Sequence, residues 1–164
     1  MTPMQANAYK ICIAWCHLAH KKFPERRIIT LRKTGDPRES YLFRYAHKLV
    51  KETTGILPQN EYILYVKAQL DVLASVVNEA DHNITEITPT CLVGPGAWVR
   101  WLIWKKKYDF LVKKGKTAKQ AGITEKSISE ISKEFQKTKL FLINKFKNIP
   151  NEEDIITYAN NIER

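Results

Sequence analysis

Few residues of this chain could do chemistry on their own: 164 residues contain three cysteines and four histidines. Cys12, Cys16 and His20 are spaced four residues apart, so one face of a helix would carry all three, and two or three such ligands could bind zinc with help from Cys91 or His17. The spacing matches no common zinc finger, and cysteine on an apolar helical face more often packs as a small hydrophobe. We therefore expect no metal site and no cofactor.

Catalytic motifs are not found in the sequence either. Gly94-Pro95-Gly96 lacks the Lys-Ser/Thr that follows a phosphate-binding glycine loop. No spacing of carboxylates indicates a two-metal site, and no histidine stands in a recognised nucleophile motif. The chain is expected not to be an enzyme.

The strongest chemical signal is positive charge. Lysine and arginine number 27 against 17 acids, a formal net charge of +10. Such an excess favours a polyanionic partner, and we expect nucleic acid, DNA more than RNA, with other protein subunits as a second class of partner. The alternatives are a protein that is simply basic and a subunit that docks on an acidic protein.

Two stretches concentrate the cations. The first follows a tryptophan-rich segment, and its predicted phosphate-binding residues are Lys105, Lys106, Lys107, Lys113, Lys114, Lys116 and Lys119. The second lies between residues 21 and 33, where Lys21 and Lys22 precede the predicted binding residues Arg26, Arg27, Arg32 and Lys33.

The tryptophan-rich segment is predicted to be a helix from Pro95 to about Lys114, closed by Gly115. Its first half carries apolar residues nearly all round, which predicts burial: Trp98, Val99, Trp101, Leu102, Ile103 and Trp104. If some aromatic rings were exposed they could instead stack on unpaired bases, as could Tyr41 or Tyr45. An interfacial membrane helix is the less favoured alternative, because Arg100 interrupts the tryptophans.

Capping signals and apolar periodicity predict helices at about residues 4–23, 36–53, 60–80 and 95–114. Residues 28–31 could form a short strand or a packed linker. Further helices are predicted to about residue 147 and from residue 151 onward. The fold class is therefore all-α, a compact bundle of six or seven helices. Residues 83–96 have no helical period and suggest a boundary between halves 1–82 and 94–164, which one domain could also contain.

Residues 117–134, TAKQAGITEKSISEISKE, resemble the bihelical unit of helix-turn-helix DNA-binding proteins. Ala118 occupies the small position of the first helix, and Gly122 the turn, where a positive φ is needed. Ile128 and Ile131 occupy the inner face of the second helix. The resemblance implies a recognition helix in the major groove whose outward residues include Lys126, Ser127, Ser129 and Lys133.

The sequence thus predicts a non-catalytic protein that binds duplex DNA through a basic helix and a helix-turn-helix-like unit. An ordinary turn between two core helices remains the alternative reading of residues 117–134. The functional alternatives are a helical subunit of a ribonucleoprotein, as in CRISPR effector complexes, or of a phage replication assembly, holding single-stranded DNA or RNA by its backbone, and a protein-interaction module.

The expected location is the cytoplasm. The first residues, MTPMQANAYK, contain no apolar signal core, and no run approaches the roughly 20 apolar residues that span a bilayer. We expect no membrane partner.

Overall fold

A computed structural model describes residues 2–31, 36–79 and 86–113, together with the four helical residues Lys137, Leu140, Phe141 and Asn144. The described part is mostly helical, which confirms the all-α class. It contains four α-helices: α1 (Pro3–Lys22), α2 (Tyr41–Thr53), α3 (Tyr62–Glu79) and α4 (Pro95–Lys113). A count of six or seven helices is not supported in these ranges, and the predicted helices after α4 lie almost wholly outside them.

Helix α1 is the centre of the fold and packs against both α2 and α3. It begins with a capping box, in which the hydroxyl of Thr2 accepts from the amide of Gln5 at 3.1 Å and the Gln5 side chain accepts from the amide of Thr2 at 3.0 Å. The helix ends at Lys22, and Phe23 caps it before Pro24. Its apolar residues at helical spacing are buried: Ala8, Ile11, Cys12, Trp15, Leu18 and Ala19.

The predicted start of the second helix is displaced. Asp36 does act as a cap, accepting from the amide of Arg38 at 3.0 Å, but it starts only a short 3₁₀ turn, Pro37–Glu39. Ser40 is buried and extended, with ψ 143°, so the chain leaves the helical conformation before α2 begins at Tyr41. The capping signal at Asp36 therefore specifies the 3₁₀ turn that leads into α2 and does not start α2 itself.

Helices α3 and α4 pack against each other. A 3₁₀ turn, Gln59–Glu61, leads into α3, and Gly94, with φ +96°, leads into α4. Ala97 and Trp101 of α4 belong to the same apolar core as α1, α2 and α3. The prediction that α4 is buried nearly all round is wrong, because three of its apolar residues are more than half exposed: Val99, Leu102 and Ile103.

Two short strands, β1 (Arg27–Ile28) and β2 (Glu86–Ile87), pair in parallel, with Ile28 opposite Ile87. The indole of Trp15 donates to the carbonyl of Ile29 at 2.9 Å and fixes β1 on α1. After β2, a 3₁₀ turn, Pro89–Leu92, packs against α2 and α3. Residues 83–96 were expected to be a boundary between halves, but the 3₁₀ turn within them is packed against two helices. The division into halves 1–82 and 94–164 stays a prediction, because most of the second half lies outside the described ranges.

Candidate nucleic-acid interface

The carboxylate of Asp71, on α3, has side-chain partners on three helices. Lys22, at the end of α1, lies 3.0 Å from its Oδ1 atom, and Lys67, one turn earlier on α3, lies 3.2 Å from Oδ2. The indole of Trp104, on α4, donates to Oδ2 at 3.2 Å. One partly buried acid therefore links α1, α3 and α4.

Lys105 is the first lysine of the predicted phosphate-binding run, and it has partners within the protein. Its ammonium group forms an ion pair with Glu61 and lies 5.4 Å from the centre of the Trp101 ring. Both side chains of the pair are about two-thirds or more buried. Lys105 therefore links α4 to the turn before α3, and a phosphate would have to compete with Glu61 for it.

Lys106 and Lys107 are exposed on α4, and neither forms an ion pair with any residue in the described ranges. Lys107 lies one turn after Trp104, beside the aromatic rings. Lys106 lies one turn after Leu102 and Ile103, at the end of the exposed apolar strip. Among the α4 side chains that the structure describes, residues 95–109, these two ammonium groups are exposed and without an ion pair, and they can pair with an anion.

Aromatic rings line one face of this part of α4. Trp101 and Trp104 lie nearly parallel, with ring centres 6.3 Å apart, and Trp104 stacks on Tyr108 at 5.0 Å and 12°. Spacings of three and four residues place the rings on one face of the helix. Trp101 is buried against Tyr65 of α3, while Trp104 and Tyr108 are half-buried. The lysines therefore stand on a helix whose opposite side is anchored in the core.

Arg100, which interrupts the tryptophans, has a structural role. Its Nε atom donates to the side-chain oxygen of Gln69 at 3.1 Å, and its Nη2 atom donates to the carbonyl of Cys91 at 3.2 Å. Gln69, itself buried, donates to the carbonyl of Ala97 at 2.7 Å. These hydrogen bonds satisfy buried polar groups and fix the start of α4 on α3.

In the second basic cluster, Arg27 lies 3.5 Å from Glu86 across the strand pair, and both side chains are largely exposed. Arg26 lies 6.0 Å from the centre of the Phe23 ring. An exposed pair such as Arg27 and Glu86 is worth about 0–1 kcal/mol, so a phosphate could displace it. Arg27 can therefore pair with a phosphate in place of Glu86.

Most of the other predicted binding residues lie outside the described residues. This applies to the helix-turn-helix-like segment 117–134, and α4 ends at Lys113, of which only the backbone is described. The predicted residues concerned are Arg32, Lys33, Lys114, Lys116, Lys119, Lys126, Ser127, Ser129 and Lys133.

Sequence reasoning missed Lys67 and Asp71. Their spacing of four residues on a helix is the usual signal of a local ion pair. The contacts from Lys22 and Trp104 come from distant parts of the chain, and no local pattern indicates them.

The cysteine- and histidine-bearing face of α1 faces the core. Cys12 and Cys16 are buried, and burial, followed by the nearby Cys16, raises the pKa of the Cys12 thiol well above its usual value. His20 hydrogen-bonds the carbonyl of Cys16 through Nδ1. Within residues 2–31, 36–77 and 86–109, no three His, Cys, Asp or Glu side chains are placed to hold a metal ion.

No protein-family model, curated protein or solved structure matches this chain. Of the helices in the described ranges, none is both long and apolar enough to cross a membrane.

Proposed function

We propose that the protein is a non-catalytic nucleic-acid-binding protein of the cytoplasm that binds duplex DNA, with DNA favoured over RNA. The observation that supports this most directly is the pair of exposed lysines on α4, Lys106 and Lys107. Glu61 and Asp71 are already paired with other lysines, and Asp109, which follows on α4, forms no ion pair with Lys106 or Lys107. The net charge of +10 on the chain and the exposed lysines of α4 together favour the binding of a polyanion.

In this mechanism α4 contacts the phosphate backbone. Lys106 and Lys107 pair with phosphates, and the anchored aromatic face keeps the helix from moving away when the DNA binds. Arg26 and Arg27 add a second set of cations. The predicted helix-turn-helix-like unit around Gly122 would set the register of the protein in the major groove, and its support is the sequence resemblance alone.

The test is binding to matched duplex DNA, single-stranded DNA and RNA in a salt series, followed by fluorescence anisotropy. Affinity should fall steeply with salt, because each neutralised phosphate of a duplex contributes about −0.9 to the slope of log K against log salt. The double variant Lys106→Gln/Lys107→Gln should therefore reduce the slope by about 2. Lys48→Gln/Lys51→Gln on α2 removes the same charge and is the matched control for duplex binding.

Gly122→Val tests the helix-turn-helix-like unit separately. If that unit reads DNA, the variant should lose duplex binding while its far-ultraviolet circular dichroism remains that of the unaltered chain. A protein that binds only the backbone should respond to replacement of Lys105, Lys106 and Lys107 by alanine and should ignore Gly122. No binding of any nucleic acid at low salt would refute the proposed function.

A protein-interaction module is the second candidate function, and a specific observation favours it. Val99, Leu102 and Ile103 form an apolar strip on α4 and are 54%, 51% and 56% exposed. Exposed apolar patches on a folded protein often mark contacts with other proteins. Serine substitutions in this strip should then abolish partner binding and leave nucleic-acid binding intact.

A further inference from the structure

The outer face of α2 carries a second row of cations. Arg44, Lys48 and Lys51 lie at spacings of four and three residues, so they occupy one side of the helix over about 10 Å. All three are exposed, and none forms an ion pair with another residue of the described part. The row is separate from the lysines of α4.

Two tyrosines stand on the same face. Tyr41 lies one turn before Arg44, and Tyr45 one turn before Lys48, so rings and cations adjoin along the helix. The rings pack edge to face with centres 4.8 Å apart, and their hydroxyl oxygens are 3.4 Å apart. Tyr41 is 43% exposed, although a residue of its size is usually more deeply buried in a monomer. An edge-to-face contact covers at most one face of one ring, so ring surface remains open to solvent.

No acid interrupts this face, because residues 41–51 contain neither Asp nor Glu. Glu52 follows Lys48 by one turn, but its carboxylate accepts from the amide of Gly94 at 3.4 Å and is directed to the start of α4. The opposite side of α2 is buried and holds the helix on α1: Leu42, Phe43, Ala46, Leu49 and Val50. The tyrosines and cations therefore stand on a fixed support.

We propose that this face, Tyr41, Arg44, Tyr45, Lys48 and Lys51, binds an unpaired strand of nucleic acid, with bases stacked on the tyrosines and phosphates held by the cations. Aromatic rings next to a track of positive charge are the usual means of holding single strands without sequence preference. A duplex offers no free base faces to such rings. The inference rests on the proposed nucleic-acid function and assigns single strands to a surface distinct from α4.

The experiment compares oligo-dT with a duplex of equal length, using the full chain and fluorescence anisotropy. Tyr41→Ala/Tyr45→Ala should weaken oligo-dT binding by roughly fivefold to a hundredfold, since stacking on one aromatic is worth about 1–3 kcal/mol per base. Duplex affinity should change by less than about twofold. Tyr41→Phe/Tyr45→Phe keeps both rings and is the matched control, which should bind oligo-dT as the unaltered chain does.

The cations are tested by Arg44→Gln/Lys48→Gln/Lys51→Gln. For single strands each phosphate contributes about −0.7 to the salt slope, so this variant should reduce the oligo-dT slope by about 2. Circular dichroism and a thermal melt establish that each variant is folded.

Unchanged oligo-dT binding by the folded alanine variant would overturn the inference, even if α4 still bound duplex DNA. An equal loss for duplex and single strand would also overturn it, because stacking on unpaired bases would then be absent. If the unaltered chain bound no nucleic acid but bound an acidic peptide through these residues, both this inference and the proposed function would fail.

Discussion

Replacing Asp71 with Asn should weaken the fold and strengthen DNA binding at the same time. Asp71 pairs with Lys22 and Lys67 and accepts a hydrogen bond from Trp104. Asparagine has almost the same shape, and its oxygen can still accept from the indole, but it carries no charge. The substitution therefore removes two ion pairs and leaves the packing of α1, α3 and α4 in place.

The loss of stability follows from the burial of the partners. Lys22 is 39% exposed, so its pair is worth less than about 1 kcal/mol, whereas Lys67 is only 17% exposed and its pair is worth somewhat more. We expect Asp71→Asn to lower the free energy of unfolding by about 1–2 kcal/mol. Asp71→Ala also leaves the Trp104 indole without this acceptor, so it should lower the free energy of unfolding by about 1 kcal/mol more than Asp71→Asn does.

The gain in binding has an electrostatic origin. An anion roughly 8 Å from a bound phosphate repels it by about 0.5 kcal/mol in water, which is about a twofold change in affinity. Lys22 and Lys67 are also released from Asp71. We therefore expect duplex affinity to rise roughly twofold to fivefold at low salt, and the difference to vanish near 0.5 M salt, where charges are strongly screened.

The assay pairs urea denaturation with anisotropy on one duplex at several salt concentrations. Asp36→Asn is the control, because it raises the net charge equally but lies beside α2 and pairs with Arg38. It should change duplex affinity by less than about 1.5-fold, by the same Coulomb argument over a longer distance. If folded Asp71→Asn bound duplex no more tightly than Asp36→Asn, Asp71 would not border the phosphate-binding surface, and the reasoning would be refuted.

Three further predictions concern the stability of the fold. Trp101→Ala removes a fully buried ring and should lower the free energy of unfolding by about 3–5 kcal/mol, measured by urea denaturation. Burial raises the pKa of the Cys91 thiol from 9.0 to about 11 and also raises that of the Tyr65 hydroxyl. Because both folded pKa values lie above the unfolded ones, the stability contributed by Cys91 is complete below pH 9 and is lost as the pH rises to about 11, and that contributed by Tyr65 begins to be lost above pH 10. A free energy of unfolding that stayed constant from pH 8 to 11 would contradict this. Leu102→Ser/Ile103→Ser should change the free energy of unfolding by less than about 0.5 kcal/mol per site, since both residues are exposed, and thermal melts should show it.

Local patterns predicted the central helix well. Ile11 and Trp15 recur at helical spacing. Both are buried, because α1 packs against neighbours on several sides. Apolar content did not predict the exposure of Leu102. Helix α4 packs on α3 and leaves its other side, which carries Leu102, open to solvent. Composition reports how apolar a helix is, but the number of neighbours that cover it is a tertiary property.

The candidate site was predictable to a similar degree. The run of lysines indicated a cationic helix, and α4 is one. Lys105 is paired with Glu61, whereas Lys106 and Lys107 are exposed. This difference depends on the turn before α3, which is distant from α4 in the sequence, so the run of lysines does not indicate it. Arg44, Lys48 and Lys51 recur at helical spacing, so the charged face of α2 was predictable from the sequence.

The strand pair has a consequence for the order of folding. Ile28 and Ile87 are paired, and the amide of Ile29 donates to the carbonyl of Ile87 at 3.0 Å, although α2 and α3 lie between them in the chain. Closing a loop of this size is entropically costly before other contacts exist, so the strands should meet only after the three helices have packed. During refolding, protection of the Ile29 amide from hydrogen exchange should therefore appear after protection of amides within α1, α2 and α3.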